Sequence, residues 1–396
     1  MIVAPFSISR LPRILFGQGQ IGQLPTLARQ YGRKALLVTG ARSFRQSPRW
    51  DSLAQGLAAA GVSFEAMVVS GEPSPEVVDE AVARFFGQGI EVVIGVGGGS
   101  VIDTAKAVAG LLPHGNSVMD HLEGVGRNIP YAGPSLPFIA APTTAGAGSE
   151  ATKNAVLSIK GEFKKSFRHE CLVAEYAVVD PELLSTCPQE LIAADGMDAF
   201  TQLLESFVSA KANPSTDALA KSGMEAFRDG FFQAWAGGDS ESAQAGRSSV
   251  AYAALLSGIT LAQAGLGSVH GLAAPLGAFY PIPHGLACGT LLAEATAINI
   301  RALEERAPQH PALGKYAEVA ALLSRQTYAD QGEACAGLVA LLRGWTDKLG
   351  LKRLGDYGVV PEHVDKIVAN SRGNSMLTNP VLLSDGEIAE LVRSRL

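Results

Sequence analysis

Seven histidines occur in the 396 residues, and two of them, His270 and His284, lie fourteen positions apart in a nearly uncharged stretch from Gly265 to Gly285. Neutral imidazole is the commonest metal ligand, and a buried ring needs a polar partner in any case. The plain reading is a pair of satisfied core histidines; the chemical one is a pair of ligands. Asp195, Asp198, Gln202 and Glu205 fall at i, i+3, i+7 and i+10, so a helix would gather them into one stripe. Such a stripe is ordinarily the wet face of an amphipathic helix. This one carries acids with no Lys or Arg to pair them, while Met197, Phe200, Leu204 and Phe207 lie elsewhere on the wheel. Spacing alone leaves both readings open.

A second kind of chemistry is written in glycine. In Glu91 to Lys106 an apolar run enters Gly97, Gly98 and Gly99, and a helix is expected to open at Ser100. Missing side chains let backbone approach a pyrophosphate, and the amides and dipole of the helix face its charge. Ser100 and Asp103 have capping-box spacing, with Asp for the usual Glu or Gln. A ligand-free turn between strand and helix is the alternative, and the run is not the GxGxxG fingerprint. Ala141 to Glu150, rich in Gly, Ala and Thr, is either a loop over a nucleotide or a polar connection.

The elements that must position these residues change character once. Up to about Pro181, apolar strands (Lys34–Thr39, Phe64–Val69, Val92–Ile94, Phe138–Ala141, Tyr176–Val179) alternate with helical stretches (Trp50–Ala60, Glu76–Phe86, and from Ser100). That pattern predicts a parallel sheet covered on both faces. Beyond Asp180-Pro181 strand signals nearly vanish, and Ala/Leu-rich helices are expected at 190–210, 216–236, 249–264, 286–305, 316–325 and 334–349 and after Ser384. The expected organisation is an α/β domain over 1–181 and an all-helical domain over 182–396, with ligands in the cleft between them.

Composition narrows the classes. Hydrophobic residues are 47 % and charged residues 18 %, which excludes a disordered chain. A net charge of −6 with no Lys/Arg block lacks the footprint of a nucleic-acid binder. Cys171, Cys187, Cys288 and Cys335 form no CxxC and read as ordinary thiols in a reducing compartment. The N-terminal stretch to Gly17 is broken by Pro5, Arg10, Pro12 and Arg13, unlike a signal peptide. The longest apolar run, Val250 to Ala262, is short of a membrane span. A cytoplasmic protein is the expectation, with a dimer as the default assembly.

Several spaced motifs together resemble the iron-containing (group III) alcohol dehydrogenase family over essentially the whole chain. They are Gly97-Gly-Gly-Ser100 with Asp103 and Lys106, Pro142-Thr-Thr-Ala-Gly146 with Gly148-Ser-Glu150, Val179-Asp-Pro181, Gly196-Met-Asp198 with Glu205, His270, Pro283-His-Gly285, and Ser371 to Met376 with Asn379-Pro380. The resemblance implies a dehydroquinate synthase-like fold: an N-terminal dinucleotide-binding domain, a helical C-terminal domain, and a divalent metal between them. Asp198, His270 and His284 match three of the family's ligands. Gln202 stands where the family has a fourth, a His, and Ala274 where it has another His.

Asp plus two His still makes a workable catalytic zinc set, with Gln202 as a weak fourth ligand or a partner of a ligand water, so zinc is favoured over iron. Along NAD or NADP the resemblance places Gly40, Ser74, Gly97, Gly98, Gly99, Ser100, Asp103, Thr143, Thr144, Thr152 and Lys165. Gly40 replaces an Asp of many NAD-using relatives, which predicts that NADP(H) is accepted, with Arg42 or Arg45 meeting its 2′-phosphate. The expected activity is hydride transfer between NAD(P) and an alcohol or aldehyde, with Phe163, Phe167 and the region of Tyr280 as candidate substrate contacts. A metal-free reductase of the maleylacetate reductase type, a lyase like dehydroquinate synthase, and a non-catalytic nucleotide-binding scaffold are the competing readings.

Overall fold

The computed structural model describes residues 4–396; Met1 to Val3, the start of the N-terminal stretch and of the expected 1–181 domain, lie outside the described residues. The first half contains β1 (Arg13–Phe16), α1 (Leu24–Tyr31), β2 (Lys34–Gly40), α2 (Pro48–Ala59), β3 (Ser63–Val69), α3 (Pro75–Phe85), β4 (Val92–Gly97), α4 (Gly99–Leu111) and β5 (Phe138–Pro142). The antiparallel hairpin β6 (Asn154–Ile159) and β7 (Phe163–Arg168) follows, and then β8 (Tyr176–Val179). Six strands form one parallel sheet in the order β1-β8-β5-β4-β2-β3. Alternation along the strands divides its apolar residues between two cores. Leu36, Val38 and Val93 face α3 and α4, while Ala35, Leu37, Val92, Ile94 and Val96 face α1 and α2. β3 lies on one side of β2 and β4 on the other, so the order reverses there. The carboxyl ends of β2 and β4, at Gly40 and Gly97, therefore flank the crevice where open α/β sheets bind ligands.

The second half is helical: α5 (Gln189–Val208), α6 (Pro214–Ala236), α7 (Glu241–Ala264), α8 (Ser268–Phe279), α9 (His284–Arg306), α10 (Pro311–Ser324), α11 (Gln331–Lys348), α12 (Val364–Ala369) and α13 (Asp385–Arg393). Its core runs from Met197, Phe200 and Phe207 on α5 to Leu291 on α9, and includes Ala145, Ala177 and Val179 of the α/β half. By length and hydropathy α9 qualifies as a membrane span, contrary to the expectation that the chain holds none. Its most apolar window is 78 % buried inside the protein, as the central helix of a bundle must be.

The two halves touch through bare backbone. A Cβ on Gly148, held at φ +60 in the second glycine-rich loop, would sit 2.4 Å from the Cα of Gly258 on α7, and one on Gly258 would sit 2.2 Å from Gly148 O. Only glycine at both positions permits this approach.

Two local readings are corrected. Gly98, not Ser100, is the N-cap of α4, and the amides of Val101 and Ile102 bond back to Gly98 O. Ser100 is thus already inside the helix, and Asp103 turns its Oδ2 to accept from Val156 N at 3.0 Å, so no capping box forms. The polar stripe of α5 is no wet face either: Asp198, Gln202 and Glu205 are 3–6 % exposed.

Candidate metal centre and nucleotide crevice

Three helices converge on one point. Asp198 projects from the middle of α5, His270 from the first turn of α8, and His284 and Cys288 from successive turns of α9. Their donor atoms all lie within 4.8 Å of one another. His270 Nε2 is 3.1 Å and His284 Nε2 3.8 Å from Asp198 Oδ1, while Cys288 Sγ is 3.6 Å from His270 Nε2 and 3.9 Å from His284 Nε2.

Glu205, two turns along α5 from Asp198, supports this group twice over. Its Oε1 accepts from Val269 N at 2.7 Å in the first turn of α8, where a carboxylate meets the helix dipole favourably. Its Oε2 lies 2.7 Å from His270 Nδ1. With Nδ1–H donated to Glu205, Nε2 is the nitrogen turned to Asp198 and the one that gives up its proton to a cation, the orientation by which a carboxylate fixes a ligating imidazole. Asn379 completes the support, accepting from Ser268 N at 3.0 Å. Pro275 and two glycines inside α8 hide it in the sequence; these caps and its burial hold it as a helix.

The electrostatics follow from burial and charge. Burial alone raises Asp198, but His284 and His270 outweigh it and bring it down to about 2. Burial alone lowers His270; Cys288, Asp198 and Glu205 overcome that and hold it well above the usual range. For His284 burial wins and the ring sits below its ordinary value, neutral at pH 7. Burial pushes the Cys288 thiol up to about 12. Asp195, half-buried against Gly146, is raised to about 7 by burial and by the charge of Asp198.

Gln202 takes another course. Its Oε1 accepts from Ser257 Oγ of α7 at 2.7 Å, tying α5 to α7, and the thiol of Cys288 stands as the fourth donor beside Asp198, His270 and His284. Cys288 escapes a reading by motif because its partner is a histidine four residues before it, not a second cysteine. That i, i+4 pair on a helix is the available signal.

On the nucleotide side, Gly40 ends β2 and Gly97, Gly98, Gly99 and Ser100 line the turn from β4 into α4. A Cβ on Gly97 would strike Val101 at 2.5 Å, so the tightness of the turn demands glycine there. Thr143 N donates to Gly97 O at 2.9 Å, and the methyl of Thr144 packs at Gly98, which brings the second glycine-rich loop over the first. Ser74 caps α3, accepting from Val77 N at 3.4 Å.

Thr152 and Asp103 are committed to structure: Thr152 Oγ1 accepts from Lys106 Nζ at 2.9 Å, and Asp103 anchors β6. Lys165 is exposed beside Gly124 on the far face of β7. Strand alternation gives Lys164 the place at α8, next to Gly277 and 3.3 Å from Glu72. Phe167 is fully buried in the α/β core beside His121 and Tyr131, so it lines no pocket. Arg45 stands over the Trp50 ring at 4.2 Å, whereas Arg42 is exposed.

A parallel α/β sheet with a glycine turn at its switch point is joined to a helical bundle carrying a buried Asp/His/His group, and family comparison places this architecture among the alcohol oxidoreductases. The profile described as iron-containing alcohol dehydrogenase matches residues 12–181, and that of the C-terminal part of the same family matches 192–396. Long-chain-alcohol dehydrogenase 1 of Geobacillus thermodenitrificans is 36 % identical over 278 residues, 70 % of this chain and 69 % of that one. The NADPH-dependent butanol dehydrogenase of Clostridium saccharobutylicum is 30 % identical over 394 residues, 96 % of each. The structure of ADH/D1, an archaeal halo-thermophilic alcohol dehydrogenase from a Red Sea brine pool, superposes with a TM-score of 0.91 at 26 % identity over the full length of both. The chain belongs to the iron-containing alcohol dehydrogenase family.

Proposed function

We propose that the protein transfers a hydride between NAD(P) and a primary or secondary alcohol or its aldehyde or ketone, with a divalent cation, zinc in preference to iron, held by Asp198, His270 and His284. The observation that carries this reading is the convergence of one carboxylate and two imidazoles, from three helices, into a single buried group whose central ring is oriented by Glu205. These donors fit a divalent cation: one anionic oxygen, one neutral ring, and a second ring whose Nε2 is kept for the group by Glu205. When bound, the cation supplies Lewis acidity toward the substrate oxygen, and the dinucleotide supplies the hydride donor or acceptor.

The chain's own part is placement. Amides at the start of α4 and the glycines before it receive the pyrophosphate at the crevice. α8 and α9 hold the two histidines opposite Asp198, with His270 buried and His284 on the more open side. Ala274 offers no side chain to carry a proton, so the proton released on alcohol oxidation leaves through water or a ribose hydroxyl. A donor set this complete argues against both the metal-free reductase and the scaffold readings. A cytoplasmic homo-oligomer, by default a dimer, is the proposed form of the enzyme.

The test is NAD(P)H oxidation across a panel of aldehydes. Turnover is expected to vanish on removal of metal by a chelator and to return with Zn²⁺; full turnover by metal-free protein would establish the metal-free reading instead. Cofactor choice has its own test at the end of β2. A Cβ at Gly40 would meet only Val101 Cγ2, at 3.9 Å, so an Asp fits there without strain. Gly40→Asp is expected to lower kcat/KM for NADPH by roughly 10- to 100-fold, about 1.4–2.8 kcal/mol, while NADH changes little. Strict use of NAD(H) by the unmodified protein would refute the NADP(H) assignment.

A further inference from the structure

Position 202 is where the donor set departs from the family pattern, and the structure shows what each of the two neighbouring side chains does about it. The only good ligand atom of Gln202, Oε1, is engaged by the Ser257 hydroxyl at 2.7 Å. Cys288 sits one turn beyond His284 on the same face of α9, fully buried, and its sulfur is placed against the Nε2 atoms of both histidines. Cys288 packs in the helical core, yet its sulfur is turned onto two ring nitrogens, which packing alone does not require. His284 Nδ1 is buried with no hydrogen-bond partner among the described residues, so the ring owes its orientation to what Nε2 faces, namely Asp198 and this sulfur.

Size decides whether the four atoms suit a single cation. Zinc–ligand bonds of about 2.0–2.3 Å in a tetrahedron put neighbouring donors roughly 3.3–3.8 Å apart. Four of the six separations are 3.1, 3.6, 3.8 and 3.9 Å, each within a few tenths of an ångström of that range, and all six lie within 4.8 Å.

We propose that Cys288 Sγ, not Gln202, is the fourth metal ligand beside Asp198, His270 and His284, and that this sulfur suits the site to zinc over Fe(II). The proposal rests on the metal-dependent reading of this group given above. Thiolate is a soft donor that favours zinc, and zinc also lies above Fe(II) in general affinity for mixed nitrogen, oxygen and sulfur sites. On uptake the S–H bond breaks, its proton passes to solvent and a sulfur–metal bond forms; no electron changes hands. Zinc accommodates a fifth donor, so four protein ligands leave a way in for substrate.

Cobalt is the probe. The full-length protein, stripped of metal and titrated with Co²⁺, is expected to bind a single ion per chain and to develop a near-ultraviolet sulfur-to-cobalt charge-transfer band alongside the visible bands. Cys288→Ser is expected to keep the visible bands, lose the near-ultraviolet one and bind Zn²⁺ roughly 10- to 100-fold more weakly. Gln202→Ala is expected to leave the band in place. If the unmodified protein takes up cobalt without that band, or Cys288→Ser holds zinc as tightly, the sulfur assignment fails while the metal site stands. If no metal binds at all, both readings fall. The spectrum of the unmodified protein decides the sulfur assignment even if Cys288→Ser does not fold.

Discussion

Asp198→Ala is expected to yield a folded chain with no bound divalent metal and with kcat lowered by about 10³-fold or more. Asp198 contributes the group's carboxylate, and the sulfur and two imidazoles that remain attract a divalent cation far less without it. Lewis-acid activation of a substrate oxygen supplies several kcal/mol of transition-state stabilisation, and each ~1.4 kcal/mol is a factor of ten in rate. The loss also reaches His270, whose Nε2 gives up its 3.1 Å partner and keeps only the Cys288 sulfur at 3.6 Å, while Nδ1 stays on Glu205. The crevice at Gly97–Ser100 lies on the α/β half and does not depend on this side chain. NAD(P)H affinity, measured by fluorescence, is therefore expected to stay near that of the parent protein, with the far-ultraviolet dichroism unchanged. Turnover within tenfold of the parent, or retained metal, would remove Asp198 from the centre of the reaction.

The parts of this arrangement that the sequence reveals are those where one physical signal dominates. The five strands β2, β3, β4, β5 and β8 are short, mostly apolar runs, and their observed ends lie within a few residues of the expected ones. Where signals conflict, legibility fails. β1 is four residues long and mostly exposed, so it carries no apolar run to find. The β6–β7 hairpin reads Phe-Lys-Lys-Ser-Phe-Arg along its second strand, and its charges mask the alternation that separates Lys164 from Lys165. The first two turns of α7 are small and polar, so the helix begins at Glu241 under a Ser240 cap, eight residues before the apolar pattern starts.

α8, with Pro275 and two glycines, is absent from the helices expected from the sequence and is a helix because Glu205 and Asn379 satisfy its first amides. The same contrast holds in the site. Asp198, His270 and His284 are picked out by the family resemblance, where residue type and spacing alone leave core histidines and a wet helix face open, and the structure brings them together. Cys288 and the engagement of Gln202 by Ser257 depend on which way side chains turn, which spacing alone does not encode.

Lys106→Met is expected to be the most destabilising single change in the α/β half. The ammonium is fully buried and donates to Ser149 O at 2.7 Å, Thr152 Oγ1 at 2.9 Å and Asn154 O at 2.8 Å. It is the pin that fixes α4, and with it the glycine turn, to the loop leading into β6. Asp103 Oδ1 lies 3.8 Å away and Glu150 is also buried close by. Burial pushes Lys106 down to about 8 and Glu150 up to about 7, so the triad sits near the limit of what buried charge can bear. A methionine fills the space but strands three acceptors and removes the buried cation that opposes two buried acids. Breaking such a group from one side costs about 3–5 kcal/mol, or a fall in Tm of roughly 10 °C.

The pH dependence has a definite sign. Because the folded pKa of Glu150 is raised, its contribution to stability is complete below its unfolded value near 4.5 and is lost as pH rises through about 7. Without the ammonium that pKa rises further, and Asp103 follows. The deficit of the variant should therefore be smallest near pH 5, where Glu150 is protonated, and widest above pH 8. Thermal melts of both proteins across that range supply the measurement; a deficit flat with pH would mean that lost packing and hydrogen bonds, not uncompensated charge, set the cost.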